Sequence, residues 1–397
     1  MTVWNDADYT KRLAHANWMA NTAVLMYLNE RATGDPARDW LSSWAHRWFV
    51  ADRLRVLVLG CGEGWLERAV AQWPFVARID AVDYAEEAVA RARELGRGVA
   101  KIHYGVVDLN RDELEADAYD VVVAHSVLHH VQNLEHAYAQ IERCMKRDAT
   151  LIVNEYVGPN RFQYSDDVSS MIDALLRALP EELRQPYESR PRPTVDEMIA
   201  NDPTEAVRAE ELVAMTERVF DVRERKAIGG TILQHLLYDI VQNFRFDVPR
   251  ERSLLQMLCT IEAMLVDGGR IPCDFVLMAA RKKGSRVGRM KRSLPPRAAG
   301  AEDVEGDPLR WSDGLSAGRS RRAKSPPLQN HHLRLLRLAL LSQQTQRANL
   351  FEERAFYSWR ERFRARGHDA FEWLLERAPQ DPAIRRLLET AATLARA

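Results

Sequence analysis

The chain has 397 residues, enough for one large domain with an appendage or for two domains. Its 46% hydrophobic and 28% charged content is ordinary for a globular protein, and a net charge of −1 supplies no global field for nucleic acid or an anionic membrane. Cys61, Cys144, Cys259 and Cys273 have no C-x-x-C spacing, which argues for reduced thiols and against a disulfide frame or zinc site; no other ligand spacing points to a metal. The opening M-T-V-W-N-D-A-D-Y lacks the basic start and apolar core of a signal peptide, and no apolar run spans a bilayer, so the expectation is a cytoplasmic protein without a membrane partner.

Asp8–Glu30 has helical periodicity, Gly34-Asp35-Pro36 breaks it, and Ala37–Phe49 forms a second helix carrying Trp40, Trp44 and Trp48. So many tryptophans point to packing against the neighbouring domain, with a lid over the site as the alternative. The apolar run Val56–Leu59 reads as a strand covered on both faces, and Gly60-Cys61-Gly62-Glu63-Gly64 follows it directly, before a helix through Gln72. A strand, a glycine turn and a helix present bare backbone N–H groups and a helix N-terminus to a nucleotide-like ligand. A second strand, 78–82, ends at Asp83, where an acidic side chain grips ribose hydroxyls. A nicotinamide fingerprint wants a small residue at its sixth position; Trp65 stands there, which disfavours a dinucleotide.

Strands at 101–106 and 119–124, with helices at 85–95 and 132–146, continue the alternation expected of a doubly wound parallel sheet. V-L-V-L-G-C-G-E-G, I-D-A-V-D-Y at 79–84, G-V-V-D-L-N at 105–110 and Y-D-V-V-V-A-H-S-V-L-H-H-V at 119–131 resemble successive motifs of class I S-adenosylmethionine-dependent methyltransferases. N-E-Y-V-G-P-N-R-F-Q at 154–163 resembles a bacterial subgroup of that family, many of them linked to glycan or small-molecule modification. The resemblance covers roughly Arg53–Lys283. It implies a Rossmann-like α/β fold with a seven-stranded, mostly parallel sheet whose last strand inserts antiparallel, and S-adenosylmethionine as cofactor.

On this reading Gly60, Cys61, Gly62, Glu63, Gly64, Asp83 and Tyr84 face the cofactor. The resemblance places Asp108 on the adenine amino group with Leu109 against the ring. His125 and Ser126, at the carboxyl end of the fourth strand, should line its methionine end. His129 and His130 are candidate general bases, since imidazole titrates near neutrality; as residues opening a helix they could equally just pack or hydrogen-bond backbone. A fifth strand, 150–154, leads to Glu155 as a further candidate acid or base, with Tyr156 and Arg161 as candidate acceptor contacts, or as a Glu–Arg pair that pins the loop. A helix at 209–220, a strand at 221–227, helices at 231–246 and 251–266 and a strand at 274–281 complete the domain; His235 and Tyr238 on the first of those helices are candidate acceptor contacts.

The divisions expected are an N-terminal helical segment (1–52), the methyltransferase domain (53–283), a flexible basic linker (284–329) and a separate C-terminal helical appendage (330–397). Leu350, Phe351, Phe356, Trp359 and Phe363 fall near one helical face of the appendage, a surface for a twin chain or a partner enzyme. The linker's basic clusters lack interleaved aromatics, so no nucleic-acid partner is expected. The implied reaction is methyl transfer to a small-molecule or saccharide acceptor at oxygen. The alternatives are an NAD-dependent oxidoreductase and a non-catalytic scaffold acting through its helical tail.

Overall fold

The computed structural model describes residues 3–6, 16–49, 51–285 and 381–396. Seven strands form one sheet: β1 Leu54–Leu59, β2 Val76–Asp83, β3 Ile102–Val106, β4 Tyr119–His125, β5 Met145–Tyr156, β6 Phe220–Gly229 and β7 Phe275–Lys282. Their order is β3-β2-β1-β4-β5-β7-β6. The first five pair in parallel, and β7 runs antiparallel to both β5 and β6, as the sequence implied. β1 and β4 lie at the centre with buried Val56–Leu59 and Val121–Ala124, which is why both read as unbroken apolar runs rather than alternating ones. The order reverses between β1 and β4, so the crevice above their carboxyl ends is the topological switch point where ligands of open α/β sheets bind.

Helices Trp65–Val70, Glu86–Leu95 and Leu134–Cys144 connect the parallel strands. Asn133 caps the last of these by accepting from the His136 N–H, and Ala137, Tyr138 and Ile141 on its inner face are fully buried. The N-terminal helices pack as the tryptophan pattern implied: Trp18, Trp44 and Trp48 are buried and the Trp44 indole N–H donates to the Ala32 carbonyl.

Two helical expectations are corrected. The continuous helix over 8–30 is interrupted: Asn17 caps a short 3₁₀ turn at Trp18–Ala20, and Asn21 caps a helix at Thr22–Thr33. Both asparagine side chains accept backbone N–H groups, and that local competition defeats helical propagation. The helix over 231–246 reduces to Leu233–Leu237, followed by Asp239 at a positive φ of 62° and a 3₁₀ turn at Val241–Asn243. There the Asn243 side chain donates to the carbonyls of Leu183 and Gln185, a long-range demand that a helical pattern does not reveal.

At the far end of the chain, helix Pro382–Arg396 lies against helices Asp166–Ala178 and Pro249–Asp267. Ile384, Leu387, Leu388 and Ala392 are buried there, and Asp381 pairs with Arg250 at 2.7 Å. The apolar positions at 350–363 and most of the basic linker lie outside the described residues. Among the described residues no helix is long and apolar enough to cross a membrane.

Candidate active site

A cavity of about 310 Å³ opens at the carboxyl ends of β1, β2, β3 and β4. Gly60, Gly62 and Glu63 form its floor, and Asp83 and Tyr84 stand at the end of β2. Asp108, Leu109 and Asn110 follow β3, while Ser126, Val127 and His130 follow β4. Of the residues expected at the cofactor, these line the cavity except Cys61, Gly64 and His125, which lie behind its wall.

The glycine turn is a steric necessity at Gly60. Its φ is +67°, and a Cβ there would meet the Val127 Cβ at 2.4 Å. The Asp83 carboxylate holds the turn to β2, accepting from the Gly62 N–H at 2.9 Å and the Ala85 N–H at 3.0 Å. Burial raises the Asp83 pKa, and those backbone donors oppose the rise. Asp108 accepts from both the backbone and the side-chain N–H of Asn110, each at 2.9 Å, which fixes the loop beyond β3. Behind the turn, the His125 ring lies between Trp40 and Trp65, with centroids 5.6 and 5.4 Å away; burial pulls its pKa down to about 4.

The two histidines after β4 are held differently. Glu155, fully buried at the end of β5, accepts from the backbone N–H groups of Val127 and Leu128 at 2.8 and 2.9 Å. Its second oxygen meets His129 Nδ1 at 2.7 Å. All of the Glu155 carboxylate's described contacts therefore serve the turn that carries the histidines, and Glu155 does not reach the cavity. Burial disfavours an imidazolium at His129, but the Glu155 hydrogen bond and the charges of Glu155, Glu205 and Asp202 outweigh it and raise its pKa. The His130 pKa falls to about 4 through burial and the neighbouring His129 charge.

His130 Nδ1 sits 3.1 Å from Thr204 Oγ1. The Thr204 hydroxyl donates to Asp202 Oδ1 at 2.7 Å, so its oxygen accepts from an Nδ1–H, and His130 Nε2 keeps its lone pair. Trp4 completes this corner, with its indole N–H on Asp202 Oδ2 at 3.1 Å and its ring edge-on to His130 at 5.2 Å.

The expected acceptor contacts do not line this cavity. Arg161, at a positive φ of 53°, spends its guanidinium on the carbonyls of Asp202, Pro203 and Glu205. Tyr156 is buried and donates to the Pro159 carbonyl, its ring against Phe162 and Phe275. His235 stacks on Tyr164 at 4.3 Å, and Tyr238 is exposed. Trp4, Asp202, Thr204 and Glu205 were not anticipated; the one local signal was turn chemistry in D-P-T-E at 202–205.

A family model described as a methyltransferase domain matches residues 57–153, from β1 into β5. A malonyl-[acyl-carrier protein] O-methyltransferase of Bacillus cytotoxicus is 29% identical over 128 residues, 32% of this chain and 44% of that protein. The match thus spans less than half of that relative's length. Polyketide synthase PksM of Bacillus subtilis is 26% identical over 168 residues, 40% of this chain and 4% of that protein. Among solved structures, an S-adenosylmethionine-dependent methyltransferase from Mesorhizobium loti is 17% identical with a TM-score of 0.38, covering 61% of this chain and 97% of that one.

The cavity suits that cofactor on its own terms. The Gly60–Gly62 backbone lines the cavity, with Gly60 packed against Val127 where a Cβ would not fit, and carboxylates stand beyond β2 and β3. Val107, Leu109, Ala88 and Val131 supply apolar wall for a base. The chain carries a class I S-adenosylmethionine-dependent methyltransferase domain, with S-adenosylmethionine as its cofactor.

Proposed function

We propose that this protein transfers a methyl group from S-adenosylmethionine to an oxygen of a small-molecule or saccharide acceptor. The observation that carries the reading is the cavity itself, with the Gly60–Gly62 floor between the Asp83 and Asp108 carboxylates on one side and the His130 imidazole on the other. Similarity to O-methyltransferases that act on a malonyl carrier supports oxygen as the atom methylated. Bound S-adenosylmethionine supplies a methyl made electrophilic by its sulfonium.

The chain's own residues do the rest. The Gly60–Gly64 turn takes the cofactor against bare backbone, Asp83 takes its ribose hydroxyls, and Asp108 with Leu109 takes the adenine. Ser126, at the end of β4, lies toward the methionine end, while Cys61 and His125 support the turn from behind. His130 presents Nε2 to the acceptor hydroxyl and takes its proton as the methyl arrives, oriented through Nδ1 by the Thr204–Asp202 chain. His129 and Glu155 position that imidazole from below, because Glu155 fixes the Val127–Leu128 turn on which both histidines stand. Arg161 shapes the acceptor side by holding the 156–163 loop to the 202–206 loop, and Tyr156 ties the 156–163 loop to itself through the Pro159 carbonyl.

Thermal unfolding with S-adenosylhomocysteine, beside NADH, tests the reading. At about 100 times its dissociation constant a ligand adds roughly 2.7 kcal/mol, a midpoint shift of a few degrees. A shift with S-adenosylhomocysteine is expected. A shift with NADH alone would replace the methyltransferase with an oxidoreductase, and no shift with either would leave a scaffold. With cofactor bound, His130→Asn is expected to lower kcat by about 10²-fold or more against a hydroxyl acceptor.

A further inference from the structure

His129 and His130 are adjacent in sequence, and Glu205 comes from a distant loop after Pro203, so no spacing advertises them as a set. The fold brings one donor atom of each within 4.8 Å of the others. The two imidazole centroids are 4.2 Å apart, and His129 Nε2 lies 3.5 Å from Glu205 Oε1.

The tautomers are set from outside the cluster. His129 donates its Nδ1–H to Glu155, and His130 donates its Nδ1–H to Thr204, whose own hydrogen is committed to Asp202. With Nδ1 so committed, Nε2 is the atom each ring has left for a ligand. An imidazole whose far N–H is held by a carboxylate or hydroxyl is the arrangement found around metal-ligating histidines, because it fixes ring orientation and raises ligand basicity.

The charge distribution points the same way. Glu155 and Asp202 are buried and Glu205 is mostly so, giving three carboxylates around two imidazoles. Arg161 is a nearby cation, and its guanidinium donates to the backbone carbonyls of 202–205 rather than to those carboxylates. These carboxylates favour positive charge between them, and His129 Nε2 faces a Glu205 oxygen at 3.5 Å. A metal cation held by the two would supply that charge in place of a proton.

We propose that His129, His130 and Glu205 form a binding site for one divalent transition-metal cation of the zinc class. Imidazole nitrogen with a single carboxylate is a donor set for borderline cations and leaves coordination positions open. Metal–ligand distances of about 2.1 Å require donors roughly 3–4 Å apart; His129 Nε2 and Glu205 Oε1 already stand at 3.5 Å, and the whole set lies within 4.8 Å. His130 and Thr204 line the cofactor cavity, so a cation held by His130 would stand beside it.

The inference rests on the methyltransferase reading and deepens it. An acceptor hydroxyl that coordinates the ion loses its proton to bulk water as the oxygen–metal bond forms, because a bound cation lowers the pKa of a ligated hydroxyl. His130 is then a ligand, and takes the proton itself only in the metal-free protein.

The full chain, stripped with chelator, is titrated with ZnCl₂ by calorimetry, with S-adenosylhomocysteine titrated in parallel. One saturable zinc site is expected, weakened at least about 100-fold in Glu205→Gln and in His130→Asn. CoCl₂ added to the unsubstituted protein should give d–d bands without a thiolate charge-transfer band. No saturable zinc site, undiminished affinity in both variants, or a thiolate band that puts the ion on a cysteine would each overturn the site. Zinc binding without S-adenosylhomocysteine binding would keep the metal site and sink the methyltransferase reading; the reverse would sink the metal site alone.

Discussion

The two halves of the sheet present opposite solutions to building a site. On the β3-β2-β1-β4 side, residues marked by sequence motifs line the cavity: Gly60, Gly62, Asp83, Asp108 and Ser126 stand where their strands end. On the β5-β7-β6 side, the residues that looked chemical are turned to structural tasks. Glu155 ties down the turn after β4, Arg161 ties down the loop at 202–206, and Tyr156 packs among aromatic rings. A cofactor held by backbone needs glycines and strand ends, which are local features. The β5-β7-β6 side is assembled from loops distant in sequence, and its polar residues are first of all the means of holding those loops.

The largest expected effect falls on the structural side. Glu155→Ala removes the acceptor of three hydrogen bonds from a fully buried position and should cost about 3–5 kcal/mol in urea unfolding. A cost below about 1 kcal/mol would mean that Glu155 is not the anchor of the histidine turn. Gly60→Ala comes next. A positive φ and a Cβ 2.4 Å from Val127 should together cost about 2–4 kcal/mol and abolish S-adenosylhomocysteine binding at any concentration that saturates the unsubstituted chain.

Asp83→Asn probes the cofactor side without changing side-chain volume. Cofactor affinity is expected to fall about 10- to 100-fold by calorimetry, since a hydrogen bond to a charged acceptor is worth about 1.5–3 kcal/mol. Unchanged affinity would leave Asp83 as a strap for Gly62 and Ala85 alone.

A smaller effect, opposite in sign, separates the halves by pH. Asp274, at the entrance of β7, is 1% exposed. Burial first, and the charge of Glu262 second, push its pKa up to about 7. The unfolded chain loses this proton near pH 4, so between about pH 4 and 7 the folded form binds more protons and stability falls as pH rises. Asp274→Asn should flatten that slope, leaving the part that Glu67, also pushed up to about 7 by burial, supplies, and raise stability at pH 8 by on the order of 2 kcal/mol; the same loss of stability from pH 5 to 8 in both chains would refute it. The smallest effect is expected at Tyr238, whose side chain is 39% exposed: Tyr238→Phe should change stability by less than about 0.5 kcal/mol. A marked rise in KM in that variant would restore Tyr238 as an acceptor contact.

Legibility followed range of interaction. β1 and β4 were readable because buried parallel strands are apolar throughout, and the antiparallel insertion of β7 was implied by the family resemblance. The helix predicted over 231–246 failed because Asn243 answers carbonyls some sixty positions away, and the one over 8–30 failed because Asn17 and Asn21 accept backbone N–H groups. Among site residues, adjacency made His129 and His130 visible, whereas Trp4, Thr204 and Glu205 carried no periodicity or motif.

By itself, the sequence determined the alternation of strands and helices and the glycine turn after β1, and the resemblance it carries implied the seven-stranded plan. Strand apolarity, positive-φ glycine and an acid at a strand end are each properties of a few consecutive residues. Only the tertiary structure decided what the histidines and carboxylates do. Whether Glu155 meets solvent or a turn, and whether Glu205 reaches His129, depends on burial and on contacts between β4, β5 and the 202–206 loop, and the same side chain is an anchor or a reactant according to the donors that surround it.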